Sequence, residues 1–373
     1  MSRLLPYFAI VAFVLFSFLI VLSVDTREHQ TPITIVPNTP TVITTSTRST
    51  STASIATPER SKQITKLKSA PAPTATLPVS PAPSPVTQAP MSVSDPVATT
   101  LRDALINILC YAPAGSALHS ISGSGVFIDQ KGIIITNAHV AQQFLLADRG
   151  VDCTIRIGSP AVDRYKASLI YISPAWLRSN SKVLTETLPN GTGEYDFAFL
   201  AVTKSAEGAP MGGSDRPVPA TFPFISLATL PSVSGTPVVI ASYGAQFIAS
   251  SQIQSALFPT VVFGSVKDIF TFGTNTIDVI ALGGSAAAQE GSSGGGVADA
   301  SGNLVGMITT STVTGATDTR SLDAITASYI RAQYANETGS ALDLLLSRDT
   351  ATSVNIFATK LNDLEAIITA GLP

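Results

Sequence analysis

The stretch GSGVFIDQKGIIITNAHV, residues 123–140, decides the fold. Two apolar runs, 125–129 and 132–136, are separated by Gln130-Lys131, and His139 follows the second. Short runs rich in Val, Ile and Phe between turn residues read as β-strands. The same pattern recurs onward from this point at 151–158, 167–173, 196–202, 235–244, 260–269, 275–284 and 294–310. Runs of this length separated by Gly-rich turns predict an all-β body of sandwich or barrel type. Helical spacing enters only at the end, over 321–334 and 340–369. There Leu342, Leu344, Leu345 and Leu346, and then Phe357, Leu361, Leu364, Ile367 and Ile368, have helical spacing and predict one or two helices.

The 373-residue chain is apolar (45% hydrophobic) yet charge-poor (13% charged), with a net charge of −3. Average globular chains are about 25% charged. The absence of a positive excess argues against a phosphate-neutralising nucleic-acid binder. Two Cys and three His exclude a disulfide framework and a Cys-rich zinc fold, and no cluster of metal-ligating residues or cofactor motif is present.

Three zones precede and include the β-rich body. Residues 4–24 form 21 uncharged, mostly apolar positions, enough for a membrane-spanning helix. A secretory h-region is shorter, about 7–15 residues, so 1–24 reads as an uncleaved transmembrane signal anchor. Residues 25–97 lack Phe, Tyr, Trp and Cys, and 12 of the 25 prolines fall between 31 and 98. Such a stretch buries too little apolar surface to offset chain entropy and reads as a disordered Pro/Ser/Thr-rich stalk. Residues 98–334 form the main body, and 335–373 a helical C-terminal segment. From 98 onward the net charge is −6.

Three residues in the body can carry acid–base or nucleophilic chemistry. Ser293 sits in Gly291-Ser292-Ser293-Gly294-Gly295-Gly296. A serine hydroxyl needs a base to take its proton and donors to hold an oxyanion, and glycines let a tight turn aim backbone N–H groups at one point. His139 closes a strand. Asp196 enters the apolar run 197–200, where a lone carboxylate is costly and usually paired. Each residue alone also fits a structural role. Their order, with separations of 57 and 97 residues in an all-β chain, is far more specific.

In that order and context the segment of about 101–326 resembles the chymotrypsin-like (trypsin-like) serine peptidase family, and within it the bacterial HtrA/Deg-like branch. The carrying motifs are GSGVFIDQKGIIITNAHV, DFAFLAV, GTPVVIASYGA, VVFGSVKDI and SAAAQEGSSGGGVADASGNLVGMITT. The resemblance implies two six-stranded antiparallel β-barrels with a C-terminal helix and a cleft between the barrels. It implies Ser293 as nucleophile, His139 as general base and then acid, and Asp196 as the group that orients His139. It further implies an oxyanion hole from the N–H groups of Gly291 and Ser293. Strand 305–311 would pair with an extended polypeptide substrate, with Met307, Ile308 and Thr309 contributing to substrate binding.

The chain departs from the family at Ser292, where Asn or Asp is usual, and at Gly296, where Pro is usual. The 39 residues after Tyr334 are too few for the PDZ domain of that branch. Ala287 and Ala288 stand where the base and wall of a P1 pocket are expected, which implies small or apolar P1 residues. Cys110 and Cys153 both fall in the first barrel of this scheme. They are either two buried thiols or a disulfide closing a loop of 43 residues; the oxidising side of a membrane favours the disulfide. The expected activity is that of an extracytoplasmic, membrane-tethered serine endopeptidase acting on unfolded or extended segments, with oligomerisation open. The alternative is an inactive pseudopeptidase used as a peptide-binding module.

Overall fold

The computed structural model describes residues 65–66, 93–180, 182–185, 191–206, 217–273, 275–311 and 314–370. Contacts divide the chain into Met1–Glu59, which lies outside the described residues, and Arg60–Pro373. The expected span 4–24 and most of the expected stalk also lie outside them. Among the described residues no helix is long and apolar enough to cross a membrane.

The first barrel is built from β2 (Leu105–Tyr111), β3 (Ile121–Asp129), β4 (Ile133–Thr136), β5 (Asp152–Ile157), β6 (Val162–Ile172) and β7 (Ala198–Ser205). Its order is β2-β3-β4-β7-β6-β5, closed by antiparallel pairing of β5 with β2. Closure leaves no unpaired edge to solvate. Ile106, Ile108, Phe127, Ile134, Ile155 and Leu200 share one face of its sheet in the pairing register, and all are buried. The β3–β4 turn forms because Asp129 Oδ1 accepts the Lys131 N–H at 2.8 Å and Gly132 takes φ +85°, a backbone state that costs glycine nothing. Cys110 and Cys153 face each other in the β2–β5 register and form a disulfide.

The second sheet contains β8 (Pro237–Ser242), β9 (Thr260–Ser265), β10 (Asp268–Thr271), β11 (Val279–Ala281), β12 (Gly296–Asp299), β13 (Leu304–Ser311) and β14 (Leu322–Thr326). It also takes in a two-residue strand, β1 (Thr65–Lys66). The order β1-β10-β11-β14-β13-β12-β8-β9 is an open half-barrel, not the second closed six-stranded barrel that the sequence implied. Thr65 and Lys66 pair with Thr271 and Phe270. They occupy the edge of β10 that closure onto β9 would need.

Helix α1 (Asp95–Ala104) starts with Pro96 near its N-terminus, where a missing N–H costs nothing. Its Leu101 is fully buried against the second sheet. A Cβ built on Gly296 would stand 2.8 Å from Leu101 Cδ1, 2.9 Å from Leu304 Cδ1 and 3.0 Å from Val126 Cγ2. Close packing of α1 over the two sheets therefore accounts for glycine at 296.

The chain ends in four helices, where one or two were expected: α3 (Ala327–Thr338), α4 (Leu342–Ser347), α5 (Thr350–Ala358) and α6 (Leu361–Thr369). Breaks at Gly339, in the left-handed region, and at the Asp349 N-cap divide them. Glu337 on α3 reaches back to the first barrel. Its carboxylate accepts from Ser173 Oγ at 3.0 Å, the Ala175 N–H at 3.1 Å and the Tyr171 hydroxyl. Burial, and then the Glu337 charge, push the Tyr171 hydroxyl far above the usual tyrosine range.

Candidate active site

His139 lies in α2 (Ala138–Ala141), a single helical turn that follows β4 directly. Extended Asn137 makes the break between strand and turn. Its Nδ2 donates to the Asp196 backbone carbonyl at 3.0 Å and so ties this turn to the start of β7. Asp196 closes a tight loop in which Gly193 has φ +83° and Tyr195 has φ +59°. A tyrosine in the left-handed region is strained. Here the Tyr329 hydroxyl accepts the Tyr195 N–H at 3.0 Å and holds that conformation.

The Asp196 carboxylate is nearly buried and has three donors. Oδ1 accepts the His139 backbone N–H at 2.9 Å. Oδ2 accepts His139 Nδ1–H at 2.7 Å and the Thr309 hydroxyl at 2.9 Å. Three donors stabilise a buried anion without a cation. A proton held on Nδ1 leaves the Nε2 lone pair of a neutral imidazole free to accept another. The imidazole remains a quarter exposed.

The Ser293 turn is seated on the first barrel through Ser124. The Ser293 carbonyl accepts the Ser124 N–H at 2.7 Å. Ser124 Oγ donates to the Gly291 carbonyl at 2.8 Å and accepts the Tyr243 N–H at 2.9 Å. Thr136 Oγ1 donates to the Ser124 carbonyl at 2.7 Å. Thr136 is three residues before His139, so the same network reaches both expected partners. Gly294 has φ +86°, and a Cβ there would lie 2.0 Å from the Ser124 carbonyl oxygen and 2.6 Å from Thr136 Oγ1. Only glycine allows the turn to approach this closely.

Of the two adjacent serines, Ser292 is fully buried, and its Oγ accepts from Ser242 Oγ at 3.2 Å. Ser293 is half-exposed. The Glu290 carbonyl accepts the Ala245 N–H at 2.8 Å. In a trans peptide C=O and N–H point in opposite directions, so the Gly291 N–H faces away from Ala245. Among the described residues neither the Gly291 nor the Ser293 N–H donates a backbone hydrogen bond. Both donors expected of an oxyanion hole are therefore unspent.

The residues expected to bind substrate divide. Ala287 and Ala288 are fully buried, six and five positions before Ser293. Met307 and Ile308 are buried in the core. Their stretch of β13 is occupied on both edges, by β14 and by β12 with the Ser293 turn: Ile308 accepts the Gly294 N–H at 2.9 Å and donates to the Gly295 carbonyl at 2.8 Å. Among the described residues, β13 has no backbone pairing opposite β14 beyond Ile308. The Thr309 hydroxyl is already spent on Asp196.

Thr309 as a partner of Asp196, and Ser124 as the link between the barrels, escaped the sequence reading. Serine and threonine are too common to stand out without their neighbours in space. Outside the site, His119 and Glu290 are exposed. Among the described residues no group of three or more His, Cys, Asp or Glu side chains could hold a metal ion.

Residues 123–307 match the family model of the trypsin-like peptidase domain, and the chain carries that domain. Its class is serine protease, a hydrolase. No curated protein matches the chain by sequence. Among solved structures it is similar to the active form of the Rv3671c protease from M. tuberculosis. Identity is 18% and the TM-score 0.39, over 70% of this chain and 95% of that one. The inactive form of the same protease gives 18% and 0.40, over 66% and 98%.

Proposed function

We propose that the chain is a membrane-anchored serine endopeptidase that works through His139, Asp196 and Ser293. The observation that carries this reading is the buried Asp196 carboxylate gripping Nδ1–H of His139 at 2.7 Å. That contact fixes the tautomer in which Nε2 is a base. Ser293 Oγ attacks the scissile carbonyl carbon while Nε2 takes the hydroxyl proton. The tetrahedral oxyanion is held by the N–H groups of Gly291 and Ser293. The C–N bond then breaks, and the leaving amine takes the proton from Nε2. Water, deprotonated by the same nitrogen, attacks the acyl ester and regenerates Ser293.

The substrate is an extended polypeptide, because the free edge of β13 beyond Ile308 recognises main-chain groups. Alanines at 287 and 288 suit small or apolar P1 side chains. Residues 1–24 anchor the chain in a membrane, 25–97 act as a stalk, and the domain works on the extracytoplasmic side, as in the HtrA/Deg-like branch that the motifs resemble.

The test is covalent labelling. The full chain in detergent is treated with a fluorophosphonate probe beside Ser293→Ala and His139→Ala. Labelling of Ser293 that vanishes in both variants is expected. A folded wild-type protein that stays unlabelled would count for the pseudopeptidase.

A further inference from the structure

The structure assigns Arg320 a role in the same reaction, as the positioning residue that keeps the Gly291 N–H aimed at the oxyanion. Arg320 precedes β14 and is buried, with 6% exposure. Among the described residues it has no carboxylate partner. Its acceptors are instead neutral oxygens from three separate loops. Nη1 donates to Gln246 Oε1 and to the Ala288 carbonyl, both at 2.6 Å. Nε and Nη2 donate to the Gly315 carbonyl at 3.0 and 2.8 Å. The Phe247 ring covers the guanidinium at 5.7 Å.

A buried cation is costly unless paired. Here hydrogen bonds to three neutral oxygens stand in for a counter-charge. What a planar fork of donors supplies, and an apolar chain cannot, is simultaneous attachment of three loops in one fixed geometry.

Those loops shape the reaction centre. The Gln246 loop contains Ala245, whose N–H fixes the Glu290 carbonyl and hence the facing of the Gly291 N–H. Ala288 begins the short segment that leads through Glu290 to Ser293. The loop that carries Gly315 also packs on Gly284, four residues before Ala288: a Cβ there would come within 2.2 Å of the Asp318 carbonyl oxygen. Without Arg320 the Ala245 loop and the Ala288 segment lose their common tie, and the Glu290–Gly291 peptide is free to rotate. The Asp196–His139 contact lies on the other barrel and is untouched.

This assignment rests on the proposed role of Ser293, so the experiment includes a readout that does not need activity. Arg320→Met and Gln246→Ala are made in the full chain, and peptide hydrolysis is followed against pH. Arg320→Met is expected to fold with a lower urea midpoint, because three acceptors lose their donor, and it is assayed at a temperature where it is folded. Its kcat is expected to fall about 30- to 300-fold, near the loss for one oxyanion donor, with KM changed less than about threefold. The midpoint of the pH–kcat profile should not move. Gln246→Ala should lose part of the same factor, and the double variant should lose no more than Arg320→Met alone. Hydrogen exchange at the Ala245 amide should quicken about tenfold or more as the loop loosens.

A kcat within about threefold of wild type, or losses that multiply in the double variant, would overturn the assignment. So would unchanged Ala245 exchange, even in an inactive protein. An unlabelled wild type in which Arg320→Met still loosens Ala245 would sink the nucleophile reading and leave the loop clasp standing.

Discussion

Replacing Gly294 by alanine tests the close seating of the nucleophile turn. Two costs combine there. The φ of +86° places an L side chain in the left-handed region, which costs roughly 1–2 kcal/mol. The new Cβ would also sit 2.0 Å from the Ser124 carbonyl oxygen. Real Cβ atoms do not approach backbone oxygen more closely than about 3.0 Å. The turn must therefore retreat by about 1 Å, the scale at which misplacement near the chemistry costs about 10²-fold. Gly302→Ala is the control. Gly302 has φ +79°, but its Cβ would meet only Val97 Cγ2 at 3.9 Å. The control should lose about 1–2 kcal/mol and stay fully active. Gly294→Ala should lose more than the control in urea unfolding. At a temperature where both are folded, its Ser293 labelling rate should be about 100-fold below wild type. A folded Gly294→Ala protein labelled within a few-fold of wild type would refute the claim that this contact sets the position of Ser293.

Asp196→Asn should lower kcat by about 10⁴-fold, because an amide NH₂ facing Nδ1 turns the imidazole to the tautomer with its proton on Nε2; peptide hydrolysis checks this, and a drop under tenfold would contradict it. Ser292→Ala should keep its activity, since that hydroxyl meets only buried Ser242 Oγ; the cost should be about 1 kcal/mol of stability, read by urea unfolding. Reducing the Cys110–Cys153 bond, which closes 43 residues, should cost about 4 kcal/mol by the chain-entropy treatment, measured as a midpoint shift in denaturant. Burial pushes the Tyr243 hydroxyl up to about 12 from 10. A raised pKa on a group buried neutral means its contribution is complete below the unfolded value and is lost as pH rises toward the folded one. Wild-type stability should thus fall between pH 10 and 12 more steeply than that of Tyr243→Phe, and parallel pH curves would refute this.

Much of the architecture was legible in local pattern. Short runs rich in Val, Ile, Thr and Phe between Gly-rich turns mark strands, because branched and aromatic side chains suit a buried sheet and the turns need glycine. The candidate triad was legible because each member interrupts that pattern. His139 ends a strand, Asp196 enters one, and Ser293 sits among glycines. The geometry joins the first two at 2.7 Å and seats the third through Ser124. The open second sheet was not legible. The edge of β10 is taken by β1, a two-residue strand whose partner lies 206 positions away in the chain (Thr65 to Thr271). Nothing in Thr65-Lys66 itself signals that pairing. The C-terminal helices were visible as helix but not as four, since single residues such as Gly339 and Asp349 decide the breaks.

What the sequence determined by itself is therefore local: strand or helix, the places of the turns, and the three residues able to do the chemistry. Each follows from side-chain period, backbone freedom or functional-group type within a few positions. Only the tertiary structure decided that Ser292 is buried while Ser293 stays half-exposed, and what fills the third bond to Asp196. It also decided why 294 and 296 must be glycine and what holds Arg320 in the interior. These are contacts between segments up to 195 residues apart, as between Leu101 and Gly296. They arise because burial leaves each polar group needing a partner, and the fold, not the neighbouring sequence, chooses it.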